Sequence, residues 1–296
     1  MDLPLMYIRT KCQMAPTSET VAAHISPVKP IDKQDISSVI TSLEKSNLNE
    51  TATVSLVDTS ATLSKVIDTL IDLPTRPPSL YVDLEGVRLS RQGTISILQL
   101  YILPQDRTYL IDIHVLGEEA FLTASNKGHT LKAILESEAI PKVFFDVRND
   151  SDALYSHFQI NLAGIHDVQL MELATRTFSR RLVNGLSKCI EREAPMTIAE
   201  KLAWKAAKEK GLKLFAPERG GSYQVFNIRP LPEEIREYCV QDVQFLPKLW
   251  TNYDRKMTIT WREKVEKAVK ERVTLSQGQD YNGHGRHMAL APAGWA

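Results

Sequence analysis

The sequence has few cysteines, no long apolar run and no excess of charge of either sign. Its three cysteines, Cys12, Cys189 and Cys239, are too few and too scattered for a disulfide framework or a structural zinc site, which indicates a reducing, intracellular compartment. No apolar run approaches the roughly 20 residues that span a bilayer, so no membrane partner is expected. Because 36 basic residues balance 36 acidic ones, no overall positive field attracts a polyanion.

No secretory signal is expected at the N-terminus, because the second residue is acidic and no continuous apolar core follows. The nucleus or the cytoplasm is therefore the expected location. Arg9 and Lys11, in a stretch with few acids, leave mitochondrial import as an alternative. Residues 1–50 are rich in Ser, Thr, Pro and Lys and lack sustained periodicity, which predicts a flexible arm. We expect one folded domain over residues 51–273 and an irregular C-terminal tail over 274–296.

The first part of the folded region predicts a short strand, "TVSLVDT", an amphipathic helix, "SATLSKVIDTLIDL", and then three strands in close succession. These three strands are "SLYVDLEGV", "GTISILQLYI" and "TYLIDI". The intervening "RLSRQ" and "LPQD" have the length and composition of hairpin turns, so an antiparallel meander is expected.

Helical and extended patterns alternate after the meander. We expect a helix over residues 117–135, a strand at "KVFF", a helix at "SDALYSHF" and a strand at "GIHDVQLMEL". The fold class is therefore α/β: a mixed five-stranded sheet, with the three-strand meander followed by parallel strands, flanked by helices.

Helices dominate the remaining sequence. "GLSKCIERE" and "TIAEKLAWKAAKEKG" are predicted helices, the second with a capping box at Thr197 and Glu200 and a stop at Gly211. "PEEIREYCVQDVQFLPKLWTNYDRKM" predicts a long helix, which Pro247 should kink or divide.

Four acids and one tyrosine stand in settings where a solvated carboxylate is not expected. Asp83 and Glu85 interrupt an apolar strand and, two residues apart, share one of its faces. Tyr238 and Asp242 share a helix face four residues apart. If Asp150 begins a helix beside that strand, all four carboxylates can converge on one point. A buried carboxylate needs a cationic partner, and divalent metal ions are the obvious candidates.

Ligation by several carboxylates suits Mg²⁺ or Mn²⁺ better than zinc. Two such ions can hold the attacking and the leaving oxygen of an in-line phosphoryl displacement. The hydroxyl of Tyr238 could hold the attacking water in line. Each residue by itself has an ordinary explanation, such as a strand end, a packed tyrosine or a helix cap. Their agreement in order and element type favours catalysis.

The sequence resembles the 3′–5′ exonuclease domain of the DnaQ-like, ribonuclease H-like superfamily, in its DEDD class with a tyrosine in the third motif. "DLE" resembles the first motif, "VRNDSDAL" the second and "YCVQD" the third, over about residues 53–272. Relatives include RNase D, the Werner-type exonuclease and Egalitarian-like proteins. The resemblance implies metal-dependent release of 5′-mononucleotides from the 3′ end of RNA or single-stranded DNA. It implies metal ligands at Asp83, Glu85, Asp150 and Asp242, with Tyr238 catalytic.

The second motif departs from the family pattern. Many relatives carry His-Gly or His-Asn where this chain has Phe145 and Asp146, which puts the local hydrogen bonding in question. The family spacing favours Asp150 as the ligand, with Asp152 as the second choice.

Substrate contacts are suggested by basic residues near the motifs. Arg88 and Arg91 follow the first motif and could meet phosphates, or could belong to a solvated hairpin turn. Four lysines flank Trp204 and Phe215, a combination that can follow a nucleic-acid backbone and stack bases but that also suits a solvated helix. These lysines are Lys205, Lys208, Lys210 and Lys213, of which Lys205 and Lys213 are the candidates.

Two other functions fit the same residues. The first is a catalytically weak or inactive nucleic-acid-binding or scaffold protein, since a fold alone does not establish catalysis. The second is a two-metal phosphohydrolase acting on nucleotides, in which "GGSYQVF" would line a small-molecule pocket. The histidines show no metal-ligand spacing, and His166 is expected to be structural.

Overall fold

A computed structural model describes residues 53–295. The arm predicted over residues 1–50 lies outside these residues. In the part that is described, no helix has both the length and the apolarity needed to cross a membrane.

A six-stranded mixed sheet forms the centre of the fold, in the order β1-β4-β3-β2-β5-β6. β2 pairs antiparallel with β3 and β3 with β4, while the pairs β1/β4, β2/β5 and β5/β6 are parallel. The strands are β1 (Thr53–Val57), β2 (Leu80–Glu85), β3 (Ile97–Ile102), β4 (Arg107–Asp112), β5 (Lys142–Phe144) and β6 (Ile165–Asp167).

The mixed α/β class and the antiparallel meander β2-β3-β4 are confirmed, but the predicted number of five strands is wrong. The sixth strand is β1, a predicted strand that had no assigned place in the sheet. It pairs in parallel with β4, with Val57 opposite Ile111. Its place could not be read from the sequence because strand pairing across a crossover depends on residues about 50 positions apart, not on local pattern.

Eleven helices accompany the sheet in the described residues. They are α1 (Ser60–Asp68), α2 (Ile113–Leu116), α3 (Glu119–Leu122), α4 (Leu131–Glu136), α5 (Arg148–Phe158), α6 (Val168–Thr175), α7 (Leu186–Glu193), α8 (Ile198–Phe215), α9 (Glu233–Gln244), α10 (Leu246–Lys256) and α11 (Ile259–Gln277). Short 3₁₀ turns lie at Leu103–Gln105, Pro217–Arg219, Tyr223–Asn227 and Arg286–Ala289.

Two predicted elements are wrong because capping groups and left-handed glycines interrupt them. The single helix over residues 117–135 is instead the separate helices α3 and α4, with Gly117 and Gly128 at φ of 56° and 80°. The strand "GIHDVQLMEL" ends at Asp167, whose carboxylate accepts hydrogen bonds from the backbone N–H groups of Gln169 and Leu170 and so begins α6.

The C-terminal predictions hold with two exceptions. The capping box of Thr197 and Glu200 is confirmed at the start of α8, and the division near Pro247 is confirmed between α9 and α10. Gly211 does not stop α8, which continues to Phe215. Helix α11 continues to Gln277, beyond the predicted start of the tail at position 274.

Apolar side chains cover both faces of the sheet. Val82 and Leu84 belong to a core that includes residues of α1, α3, α4 and α5. Ile97 and Leu110 belong to a second cluster with α9, on the other face. The alternation along β2 therefore directs Asp83 and Glu85 away from the first core and toward α9.

Candidate active site

Three carboxylates meet where β2 faces α9. Asp83, Glu85 and Asp242 each present an oxygen within 4.8 Å of the oxygens of the other two. We call these residues the acidic triad. Asp83 and Glu85 are half-buried and Asp242 is buried. Three carboxylates so close together are the kind of oxygen-rich donor set that hard divalent cations bind.

Burial and mutual repulsion raise the pKa values of Asp83 and Glu85, and this is the cost that a bound divalent cation would relieve. Burial, followed by the charge of Asp242, raises the pKa of Asp83 to about 7. Burial and then the charges of Asp83 and Asp242 raise the pKa of Glu85 well above its ordinary value. The fold thus holds these groups together against their mutual repulsion, which is a common sign of a functional site.

Asp150 lies in the first turn of α5, which follows β5, the parallel neighbour of β2. It is buried, and it is not among the residues whose oxygens form the 4.8 Å triad. Burial and then the charge of Asp83 nevertheless raise the pKa of Asp150 well above its ordinary value, and its own charge raises that of Glu85. Asp150 therefore interacts electrostatically with the triad from the first turn of α5.

Asp152, the alternative residue in the second motif, is held by Arg91. Its two carboxylate oxygens accept from the backbone N–H and the Nε of Arg91 at 2.8 and 2.6 Å. The other two side-chain nitrogens of Arg91 donate to the carbonyl oxygens of Ser276 and Gln279. Because Asp152 is engaged by Arg91, Asp150 remains the candidate acid of the second motif, and Arg91 has a structural role in place of the predicted phosphate contact.

The departure from the family pattern at Asp146 has a conformational explanation. Asp146 has a φ of 62°, in the left-handed region, where glycine and asparagine fit easily and aspartate is tolerated. Its carboxylate pairs with both Arg148 and, at 3.4 Å, Arg272. The turn before α5 is thus tied by ion pairs to α11.

Tyr238 lies one helical turn before Asp242 on α9, and its side chain is buried. Burial and then the charges of Asp242, Glu85 and Asp83 raise its pKa well above 10, so the phenol keeps its proton. Phe215 packs edge-on against the Tyr238 ring, with the ring centroids 4.9 Å apart. Tyr238 is therefore a protonated phenol, packed against Phe215 and one helical turn from Asp242.

Gly211 allows α8 to approach Tyr238 closely. A Cβ at position 211 would lie 2.8 Å from both the Cβ and the Cδ2 of Tyr238, which is closer than packed carbon atoms tolerate. The residue predicted to end α8 therefore has a different role, in which the missing side chain lets two helices meet at the site.

We expect Gly211→Ala to lower the free energy of unfolding by about 1 to 3 kcal/mol and to reduce turnover, because the added methyl group overpacks the α8–α9 contact and displaces Tyr238. Urea unfolding would measure the change. Gly185→Ala is the matched control, since Gly185 has a φ of −78° and no atom within 4 Å of the added Cβ. Equal stability of the two variants would contradict the proposed contact.

The remaining predicted substrate residues, Arg88, Lys205 and Lys213, make no ion pair with the triad. Arg88 is exposed in the turn after β2, at a left-handed φ of 51°. Lys213 is exposed near the end of α8. Lys205 makes a surface ion pair with Glu191 at 2.7 Å. His166 accepts a hydrogen bond from Trp250 at 3.1 Å, which is consistent with the structural role expected for it.

Lys208 is the lysine of α8 that reaches the triad, although Lys205 and Lys213 are the two candidates from the sequence. Its Nζ lies 2.6 Å from Oδ1 of Asp242. The signal that could have identified it is its spacing of three residues from Gly211, because residues i and i+3 share a helix face. A glycine that meets a neighbouring helix therefore marks the face on which Lys208 lies.

Residues 54–258 match the family model described as "3′–5′ exonuclease". Among curated proteins, none matches this sequence.

Three solved structures illustrate the likeness in fold. Trypanosoma brucei RNase D, crystallised with RNA U12, has 20% identity and a TM-score of 0.63, covering 85% of this chain and 80% of that chain. Escherichia coli RNase D, described as an exoribonuclease involved in structured RNA processing, has 18% identity and a TM-score of 0.50, covering 76% and 51%. Brucella melitensis NrnC has 17% identity and a TM-score of 0.52, covering 77% and 93%. At these low identities, the TM-scores show a shared fold and nothing beyond it.

Proposed function

The chain belongs to the 3′–5′ exonuclease family, and on that premise we propose that it removes 5′-mononucleotides from the 3′ end of RNA with the help of two divalent metal ions. The observation that carries the proposal is the acidic triad with Asp150 beside it, a group of carboxylates that repel one another unless cations are bound. Enzymes of this family use divalent metals, and the all-oxygen donor set favours Mg²⁺ or Mn²⁺.

The chain's own residues have distinct tasks in this proposal. Asp83, Glu85, Asp242 and Asp150 would hold the ions, which supply charge neutralisation at the phosphate and activation of water when bound. Tyr238 donates from its hydroxyl and orients the water for in-line attack on phosphorus. The bond between phosphorus and the 3′ oxygen of the preceding nucleotide breaks, so the terminal nucleotide leaves with its 5′ phosphate and the shortened chain gains a 3′ hydroxyl.

RNA is the proposed substrate because RNase D structures share the fold and one of them was crystallised with RNA U12. The exposed Arg88, in the turn after β2, and Lys213, near the end of α8, are candidate phosphate contacts. Single-stranded DNA is the comparison substrate, since reading the 2′ hydroxyl takes only one or two contacts.

The direct test uses purified protein with Mg²⁺ or Mn²⁺ and RNA and DNA oligomers labelled at either end. We expect a 5′-labelled RNA to shorten stepwise and a 3′-labelled RNA to release labelled mononucleotide at once. The Asp83→Ala, Glu85→Ala double variant serves as the inactive control. Absence of shortening with any metal, or equal shortening by the double variant, would exclude the exonuclease proposal. Hydrolysis of free nucleotides alone would instead favour a nucleotide phosphohydrolase.

Tyr238→Phe is expected to retain metal binding and to lower turnover by about 100-fold or more, because only the hydroxyl that positions the water is lost. Calorimetric titration with Mn²⁺ measures the first quantity, and single-turnover cleavage of labelled RNA measures the second. Unchanged turnover would remove Tyr238 from the mechanism.

A further inference from the structure

Lys208 is placed inside the acidic site and not on the solvent face of α8. Its Nζ is 2.6 Å from Asp242 Oδ1 and 4.7 Å from the centre of the Tyr238 ring. Its side chain is 14% exposed. Within residues 53–295, no other lysine or arginine makes an ion pair with the triad.

This position follows from the helix packing. Lys208 and Gly211 share one face of α8, and Gly211 lets that face approach Tyr238 on α9. The aliphatic stem then extends over the Tyr238 ring, and the ammonium group meets the carboxylate one turn further along α9. The fold therefore brings a cation to the two residues that the proposed mechanism uses for metal binding and for water placement.

One lysine is not enough to balance the triad. Burial and neighbouring carboxylates raise the pKa of Asp83 and Glu85, and the charge of Lys208 opposes that rise only in part. Divalent ions held by the same carboxylates would neutralise the site more fully and would repel an ammonium group only a few ångströms away, where water screens weakly.

Resting on the metal-dependent function proposed above, we propose that Lys208 has two positions: it is the counter-ion of Asp242 before metal binding and a contact to the substrate phosphate afterwards. A lysine suits this use because its charge is compact and its four-carbon stem is flexible. The phosphate must lie beside the triad and the Tyr238 hydroxyl, which is within reach of a side chain already placed over that ring.

The test compares Lys208→Met, which keeps the apolar stem, with Lys208→Arg, which keeps the charge. Lys201→Met is the matched control, because Lys201 lies on the same helix and binds the carbonyl oxygen of Glu191. Calorimetry measures Mn²⁺ affinity without substrate, and then the affinity of the Mn²⁺-loaded protein for uridine 5′-monophosphate. Melting temperatures verify that every variant is folded.

We expect Lys208→Met to bind Mn²⁺ about tenfold more tightly than the wild type, because a like charge at this distance changes cation affinity by at least that factor. The same variant should bind uridine 5′-monophosphate about tenfold more weakly, whereas Lys208→Arg restores nucleotide binding. Unchanged or weaker Mn²⁺ binding by Lys208→Met, or unchanged nucleotide binding, overturns the proposed role of Lys208. The metal-dependent function itself would still stand. A wild type that binds no Mn²⁺ overturns the metal-dependent function, and this inference with it.

Discussion

Replacing Asp83 with Asn is expected to reduce exonuclease turnover by about 1,000-fold or more. Asp83 is the member of the acidic triad that both raises the pKa of Asp150 and shares a strand face with Glu85. An amide in its place removes one negative charge from the triad and, in the proposed function, one anionic metal ligand. Bound divalent ions supply several kcal/mol of transition-state stabilisation, and a loss on that scale corresponds to the expected reduction.

The same substitution should stabilise the metal-free protein. Burial and then the charge of Asp242 raise the pKa of Asp83 to about 7 from its ordinary value of 3.8. The folded protein therefore holds this proton more tightly than the unfolded chain does. It follows that ionisation of Asp83 lowers the free energy of unfolding as the pH rises from about 4 to 7, and that the loss is complete above that range.

Thermal unfolding in a chelator, measured at several pH values, distinguishes these effects. At pH 8 we expect the melting temperature of Asp83→Asn to exceed that of the wild type by about 2 °C or more, with a smaller difference at pH 4. Asp58→Asn, at an exposed position after β1, is the control for a general change in net charge. A melting temperature for Asp83→Asn below that of the wild type at pH 8 would contradict the cost assigned to the buried carboxylate.

Replacing Arg272 with Met is expected to lower the free energy of unfolding by about 3 to 5 kcal/mol, because it leaves buried carboxylates without their cation. Arg272 lies on α11 and donates to Asp167 at 2.6 Å and to the amide oxygen of Gln169 at 2.9 Å. It also pairs with Asp146 at the start of the second motif. Asp167 in turn accepts from the backbone N–H groups of Asp146 and Val147, just before α5.

This network gives the Arg272 substitution a second consequence, which is a reduction in turnover. The turn that Arg272 and Asp167 hold leads directly into the first turn of α5, where Asp150 lies. Urea unfolding and cleavage of labelled RNA would measure the two effects. Lys270→Met, at an exposed position on the same helix, should change neither quantity. If Arg272→Met proved as stable and as active as that control, the network would have no role in holding Asp150.

Local features of the sequence predict much of this fold because they act over a few residues. The hairpin turns between β2, β3 and β4 and the capping box at Thr197 and Glu200 are complete within short segments, and so is the proline-dependent division near Pro247. The pairs of residues within each motif are also predictable from local spacing. Residues two apart share a strand face and residues four apart share a helix face, so the pairs Asp83/Glu85 and Tyr238/Asp242 could be recognised without a structure.

Features that depend on a partner elsewhere in the chain could not be predicted in this way. Gly211 has the appearance of a helix stop, yet Tyr238, on another helix, explains its lack of a side chain. Arg91 has the appearance of a phosphate contact, yet Asp152 and two carbonyl oxygens of the C-terminal region occupy it.

By itself, the sequence determined the class of chemistry and the order of most elements, because motif spacing and caps are local. The tertiary structure decided which groups meet. It brought Asp242 to Asp83 and Glu85, paired Asp152 with Arg91, and placed Lys208, one of four similar lysines, against Asp242. The physical reason is that a carboxylate's role depends on the charges within a few ångströms of it, and those charges come from residues distant in the sequence.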